Sequence, residues 1–248
     1  MLKNATSLEN FGRLNEAQER EPRQFLDEQL YAYVKTLTNQ ISKAFRWLER
    51  QPAGYQERLE DMGLLLKMTK QGYEFFAADP EKAARFAFIS LDNLYYLHDQ
   101  LLTTMRETAT RNKVDFSDEF YAVVDTRALI DSLCRIIYKS SHEKLINRAL
   151  CLHVHHHSIH DRQKEARNLL LTSRIPENIG LLDQNTQVHY NRAIVQLGLC
   201  HFRRGDILKC HAAISQIFGS MRLRTVLGQI NPPKSDRKLV PHHKHFPR

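Results

Sequence analysis

Apolar residues recur along this chain mostly at spacings of three and four, the period of helices that each bury one face. The stretch after Pro22 carries Leu26, Leu30, Tyr33, Leu37, Ile41, Phe45 and Leu48 at such spacing and predicts a long amphipathic helix. Pro52 and Gly54 interrupt it. A second helix follows and should stop before Asp79-Pro80, because a residue that precedes proline is pushed out of the α region. A third runs from Glu81 to about Met105. Further helices are expected in FYAVVDTRALIDSLCRIIYKS, EKLINRALCLHVHHHSIH, RQKEARNLLLTS, TQVHYNRAIVQLGLCHF, ILKCHAAISQIF and RLRTVLGQI, with Pro176 as a breaker among them. The expected organisation is a polar lead-in over 1–21, an N-terminal helical layer over 22–105, a linker at 106–118, helical repeats over 119–230, and a basic tail rich in proline and histidine over 231–248. Nine glycines and eight prolines are few for this length, and the fold class is all-α.

Two helix pairs share a pattern. Leu197-Gly198, His201, the turn at Gly205-Asp206 and small Cys210 fall at the offsets of a tetratricopeptide repeat. Small residues at these places let antiparallel helices approach closely. Laying Ala166 on the position of Cys210, 44 residues on, puts His157 where His201 sits and Asp161 at the turn. The histidine-rich helix and RQKEARNLLL therefore form a comparable pair, and the expected architecture is a tetratricopeptide-like right-handed helical solenoid.

Composition adjusts this picture in two ways. The chain has 248 residues, 42% of them apolar, enough for a continuous core. Lys and Arg number 36 against 28 Asp and Glu, a formal charge of +8 that favours an anionic partner such as RNA. The bias is strongest at the end, where Arg222, Arg224, Lys234, Arg237, Lys238, Lys244 and Arg248 face only Asp236. Arg203, Arg204, Arg222 and Arg224, near predicted helix ends, are the candidate contacts to RNA or a partner. Cys134, Cys151, Cys200 and Cys210 lack C-x-x-C spacing, and no stretch approaches the run of about 18 apolar residues that spans a bilayer. With an amino terminus that lacks an apolar signal core, the expectation is a cytoplasmic protein with no membrane partner.

The histidines are the one serious candidate for chemistry. Phosphate-binding loops, H-E-x-x-H, G-x-S-x-G and kinase signatures are absent from the sequence. RGD at Arg204 to Asp206 sits in a predicted turn, where Gly and Asp are favoured for their backbone behaviour. On a helix, His153, His156, His157 and His160 share one face, while His155 points elsewhere and is expected to meet solvent. The first and last of the four are about 10.5 Å apart along the axis, whereas metal–nitrogen bonds are about 2.0 to 2.1 Å, so at most two could serve one ion. Leu145, Ile146, Ala149, Leu150, Leu152 and Ile159 lie in the same broad arc, and Lys144, Asn147, Arg148, Cys151, His155 and Ser158 lie opposite. The four histidines, with Ala166, Gly198 and Cys210, are therefore read as helix-packing residues; no catalytic residue, metal ligand or cofactor site is assigned. A metal-dependent hydrolase built on two of the histidines is the alternative from the enzyme class.

The residues also carry a resemblance. H-x-x-H-H-x-x-H at His153, His156, His157 and His160, Ala166-Arg167, Tyr190 to Arg192, Gln196 to Gly198 and Leu227 to Gln229 are similar to the family formed by the C subunit of eukaryotic translation initiation factor 3. The likeness is thinner from Phe25 to about Asp99, where QLYAYVKTLTNQISKAF and GYQERLEDMGLL carry it best. It implies a helical-repeat core leading into a PCI domain, in a non-enzymatic scaffold subunit. The implied partners are other subunits of the complex, the small ribosomal subunit, other initiation factors and RNA. LVPHHKHFPR resembles the basic stretch that leads into the rest of the family's PCI domain, so a fragment, a shortened form or a short paralogue is expected. A PCI-type subunit of another assembly, the proteasome lid or the signalosome, is the alternative within the same architecture.

Overall fold

A computed structural model describes residues 24–44, 52–97 and 126–218, together with residues 99, 103 and 107. All the regular elements among the described residues are helical. They are α1 (24–44), α2 (Pro52–Phe75), α3 (Pro80–Leu94), α4 (Thr126–Tyr138), α5 (Glu143–Ile159), α6 (Gln163–Thr172), the short α7 (Ile175–Asn178) running into a 3₁₀ turn (Ile179–Leu181), α8 (Gln184–Arg203) and α9 (Ile207–Phe218). The chain divides into two compact units, Met1–Ala149 and Leu150–Arg248, with the division inside α5. The lead-in over 1–21 and the tail over 231–248 lie outside the described residues, as does the linker at 106–118 apart from residue 107.

In the first unit α3 is the central helix, packed against both α2 and α4. Asp79 caps it, accepting hydrogen bonds from the backbone N–H groups of Glu81 and Lys82 at 3.1 and 3.3 Å, with Pro80 in its first turn. The Asp79-Pro80 pair thus starts one helix after another has ended at Phe75. Gly72 of α2 lies flat beneath Phe86 of α3, whose ring also stacks on Phe76 at 5.5 Å and meets the edge of Tyr31 at 5.7 Å. Thr69 and Ser90, both buried, share a 2.6 Å hydrogen bond between the same two helices.

Two expectations for this unit change. The third helix stops at Leu94 rather than near Met105: the chain turns there, with Leu97 N–H donating to the Leu94 carbonyl at 3.0 Å, and Tyr95 and Leu97 are buried. The second change concerns α1, which packs through Asp27, Tyr31 and Val34, while only the later part of its leucine stripe, Leu37 and Ile41, is half-buried. Lys82 Nζ donates to Asp27 at 2.6 Å, Arg85 pairs with Glu28, and the Arg85 guanidinium lies over the Tyr31 ring at 5.5 Å. Leu26, Leu30 and Tyr33 are left exposed.

The second unit contains two helix pairs that repeat. Adding 44 to each residue of the α5–α6 turn gives the α8–α9 turn, hydrogen bond by hydrogen bond. Arg162 N–H donates to His157 C=O at 2.9 Å, and Asp206 N–H to His201 C=O at 2.9 Å. Asp161 N–H donates to Ser158 C=O at 3.4 Å, and Gly205 N–H to Phe202 C=O at 2.9 Å. These are the two bonds of a Schellman motif, which requires a left-handed residue at the turn. Asp161 (φ 57°) and Gly205 (φ 80°) supply it. Aspartate tolerates that region better than most residues and glycine does so freely.

Replacing Gly205 with valine should therefore cost about 1–2 kcal/mol, the penalty for a β-carbon in the left-handed region. Nothing stands within 4 Å of an added β-carbon there, so the cost is one of backbone alone. Gly205→Asn should cost distinctly less. Urea denaturation of both variants checks this, and equal losses would refute it.

Candidate functional site

The histidine helix is the most densely buried element of the second unit. Cys151 packs with Ile175, Ile179, Tyr190, Ile194 and Ile217, and Val154 packs with Ala166, Ala193 and Leu197. Ser158 is wholly buried, with its hydroxyl turned onto the Val154 carbonyl at 2.8 Å. The side of α5 bearing Cys151, Val154 and Ser158 is thus covered by the following pair. The side opposite the histidines is therefore a packing face as well. A cysteine and a serine are small enough to admit a closely approaching helix, and a hydroxyl bonded to its own backbone needs no water.

About half a turn around the helix from that face lie the four histidines of the H-x-x-H-H-x-x-H pattern. His153, His156 and His157 are buried and His160 is partly buried. The rings of His153 and His157 stack at 4.5 Å, and those of His156 and His160 lie at 4.5 Å with a 54° tilt. The spacing of four thus produces two ring pairs, one turn of helix apart.

His155 does not meet solvent freely, contrary to expectation. It is half-buried, and burial, reinforced by the charge of Arg192, lowers its pKa to about 4. A neutral imidazole is what α5 accommodates there.

At the turns, polar side chains join the two pairs. Arg203 Nε donates to Asp161 Oδ1 at 2.7 Å, its NH2 group donates to the Ser158 carbonyl at 2.7 Å, and Arg204 NH1 donates to the Asp161 carbonyl at 3.1 Å. Gln163 Nε2 donates to His201 Nδ1 at 2.6 Å and to Asp206 Oδ2 at 3.0 Å. Burial lowers the His201 pKa, and the hydrogen bond from Gln163 lowers that of Asp206. Arg203 and Arg204 are thus engaged by the first turn, so a phosphate would have to compete with Asp161 for them. Arg222 and Arg224 lie outside the described residues. Sequence reasoning placed Asp161 at the turn but missed its partner, 42 residues away. An aspartate at a left-handed position whose repeat equivalent is glycine was the available signal.

Ala166 is wholly buried where α6 meets α5 and α8. An added β-carbon on Gly198 would sit 2.9 Å from Ile214 of α9, so that position must be small. Cys210 is buried on the same helix.

All four cysteines are free and buried, and burial pushes the Cys134 and Cys151 thiols up to about 12, leaving both protonated at neutral pH. An open groove of about 290 Å³ between α6, α8 and α9 is lined by Leu170, Leu171, Ile194, Leu197, Ala212 and Ala213, with Arg167, His201 and Lys209 among its polar members. In the first unit the exposed apolar residues of α1, Phe25, Leu26, Leu30 and Tyr33, lie in its first half, whereas Leu37 and Ile41 are half-buried. Among the described residues no helix is long and apolar enough to cross a membrane.

Fold and site together define an all-α protein of stacked helix pairs, held by small residues, buried imidazoles and cross-pair hydrogen bonds. A family model described as the eukaryotic translation initiation factor 3 subunit 8 N-terminus matches residues 10–245, and the chain belongs to that family. It is similar to the C subunit of eukaryotic translation initiation factor 3 from Schizosaccharomyces pombe, 30% identical over 87% of this chain and 25% of the relative. The corresponding proteins of Candida albicans (26% identical, 86% of this chain and 26% of the relative) and Xenopus tropicalis (27%, 79% and 22%) match in the same way. The chain spans about a quarter of the length of these curated relatives.

Proposed function

We propose that the chain is a non-enzymatic scaffold element of the eukaryotic translation initiation factor 3 complex, acting in the cytoplasm to support assembly of the preinitiation complex on the small ribosomal subunit. The observation that carries this reading is the family match over residues 10–245. It is supported by an architecture whose polar groups join helix to helix, and by the exposed stripe of Leu26, Leu30 and Tyr33, an apolar face suited to contact with another subunit. RNA contact belongs to the same reading and falls to Arg222 and Arg224, since Arg203 and Arg204 are engaged by Asp161.

The test is affinity purification of the tagged full chain from eukaryotic cells, with cosedimentation on a sucrose gradient. Copurification with other subunits and migration with the small ribosomal subunit are expected. Leu30→Glu combined with Tyr33→Glu should lower the recovery of other subunits about tenfold or more, the scale of an interface hot spot. Absence of both associations from the unaltered chain would overturn the reading.

A further inference from the structure

The groove between α6, α8 and α9 differs in charge from one end to the other. Its walls both stand on α8: α6 contributes Arg167, Leu170 and Leu171, and α9 contributes Lys209, Ala212, Ala213 and Gln216. These spacings, i, i+3, i+4 on α6 and i, i+3, i+4, i+7 on α9, make each wall one face of a helix, and the groove follows the helix axes. Ile194 and Leu197 form an aliphatic floor. The wall of α9 is set back because residues 212 and 213 are alanine, and Leu171 stands 67% exposed across from it. Both helices begin at the same end, since Gln163, the first residue of α6, donates to Asp206, just before α9, at 3.0 Å. Arg167 and Lys209 rise from the first two turns there, and two helix dipoles add positive potential. Asp206 lies 3.2 Å from Lys209 and answers that cation, whereas Arg167 has no ion pair among the described residues. Beyond these two cations the described lining is uncharged as far as Gln216, apart from the His201 imidazole.

We propose that this groove binds an amphipathic helix of another protein, whose apolar stripe lies on Leu170, Leu171 and Ala213 and whose carboxylates meet Arg167 and Lys209 at the end where α6 and α9 begin. A helix fits better than an extended strand, because helical walls have no free row of backbone N–H and C=O groups for a strand to pair with. It also fits better than RNA, whose phosphates would find cations at one end only, and whose bases would find no Phe, Tyr or Trp among the described lining residues. The carboxylates fix direction as well as affinity: a reversed helix would set them beside Gln216 and leave Arg167 unanswered. This surface is separate from the apolar residues of α1, and its occupancy does not depend on the assignment to translation.

A phage-displayed library of helical peptides, selected on the purified full chain and counter-selected on its Ala212→Glu variant, reads the chemistry of the occupant. Enriched sequences should carry apolar residues at i, i+3, i+4 and i+7, with Asp or Glu gathered toward one end. The most enriched sequence, made as a fluorescein-labelled peptide and followed by fluorescence polarisation, should bind Arg167→Glu and Leu171→Glu at least about tenfold more weakly, the scale of an interface hot spot. Leu208→Glu, on α9 and 87% exposed but outside the groove, should leave binding intact. Arg167→Glu combined with Lys209→Glu should come to prefer the same peptide with its acids replaced by lysine, a reversal that a misfolded variant could not show. Failure to enrich any sequence that depends on the groove would overturn the proposal, as would enriched peptides without acids or binding indifferent to Arg167. A labelled oligouridine whose binding is lost in Ala212→Glu would assign the groove to RNA, and a dimer in light scattering that Ala212→Glu dissociates would assign it to a second copy. Either result overturns docking of a partner helix.

Discussion

Phe86→Ala should lower the free energy of unfolding by about 3–5 kcal/mol, the range for removing a buried aromatic ring from a packed core. The ring is buried between helices, stacked on Phe76 with 13° between planes and met edge-on by Tyr31. Beneath it lies Gly72, whose missing side chain makes the approach possible: an added β-carbon would stand 2.5 Å from Phe86 Cδ1 and 2.8 Å from Cγ. Glycine within a helix is itself unfavourable by about 1 kcal/mol relative to alanine, so the close approach must offset that cost. In the natural chain Gly72→Ala should therefore destabilise by about 1–3 kcal/mol through overpacking, despite its better helix propensity. In the Phe86→Ala background the same change should stabilise, because its methyl enters the vacated space and the propensity gain is no longer opposed. Urea denaturation of the two single variants and the double variant measures the coupling. A Gly72→Ala effect of the same sign in both backgrounds would mean that the two residues do not meet as described.

The part of the fold that was legible in the sequence is the part fixed by local pattern. Asp79-Pro80 marked a helix start because capping and the restricted backbone of proline act within a few residues. The correspondence of Ala166 with Cys210 located both turns because each needs a left-handed residue, which Asp161 and Gly205 provide. Spacing alone did not show which face of a helix is covered. On α1 the leucine stripe was the stronger signal, yet Asp27 and Tyr31 face α3 because Lys82 and Phe86 wait there, 55 residues on from each. On α5 both sides are buried, and the second side sets Ser158 and half-buried His155 beside Cys151 and Val154, so a periodicity argument sees polar residues there and does not count it as core. The cross-pair bonds of Arg203 and Gln163 were hidden for the same reason: long-range partners leave no local spacing to read.

Acidification from pH 6.5 toward pH 4 should destabilise the second unit, and His155 should carry an identifiable share of the loss. Its pKa is lowered from 6.5 to about 4 in the folded chain, chiefly by burial and secondarily by Arg192. Above pH 6.5 the imidazole is neutral in both folded and unfolded chains, and its contribution is at its full value. As the pH falls below 6.5 the unfolded chain takes up a proton that the folded one refuses, so stability drops until the folded pKa is passed near 4. The difference of about 2.5 pKa units corresponds to at most about 3 kcal/mol over that interval. His201, also lowered by burial, adds loss of the same sign. Asp206 acts in a different window: its carboxyl is held below 3.8, so its contribution is lost only as the pH falls through still lower values. His155→Gln isolates the effect, since an amide fills similar space and never takes up the proton. Stability of the natural chain and of His155→Gln, measured by urea denaturation at intervals from pH 7.5 to 4, should diverge steadily below pH 6.5, with the natural chain falling more steeply. Parallel curves would show that the folded chain admits a charged imidazole at that position, and that the face of α5 bearing Cys151 and Ser158 is open to water after all.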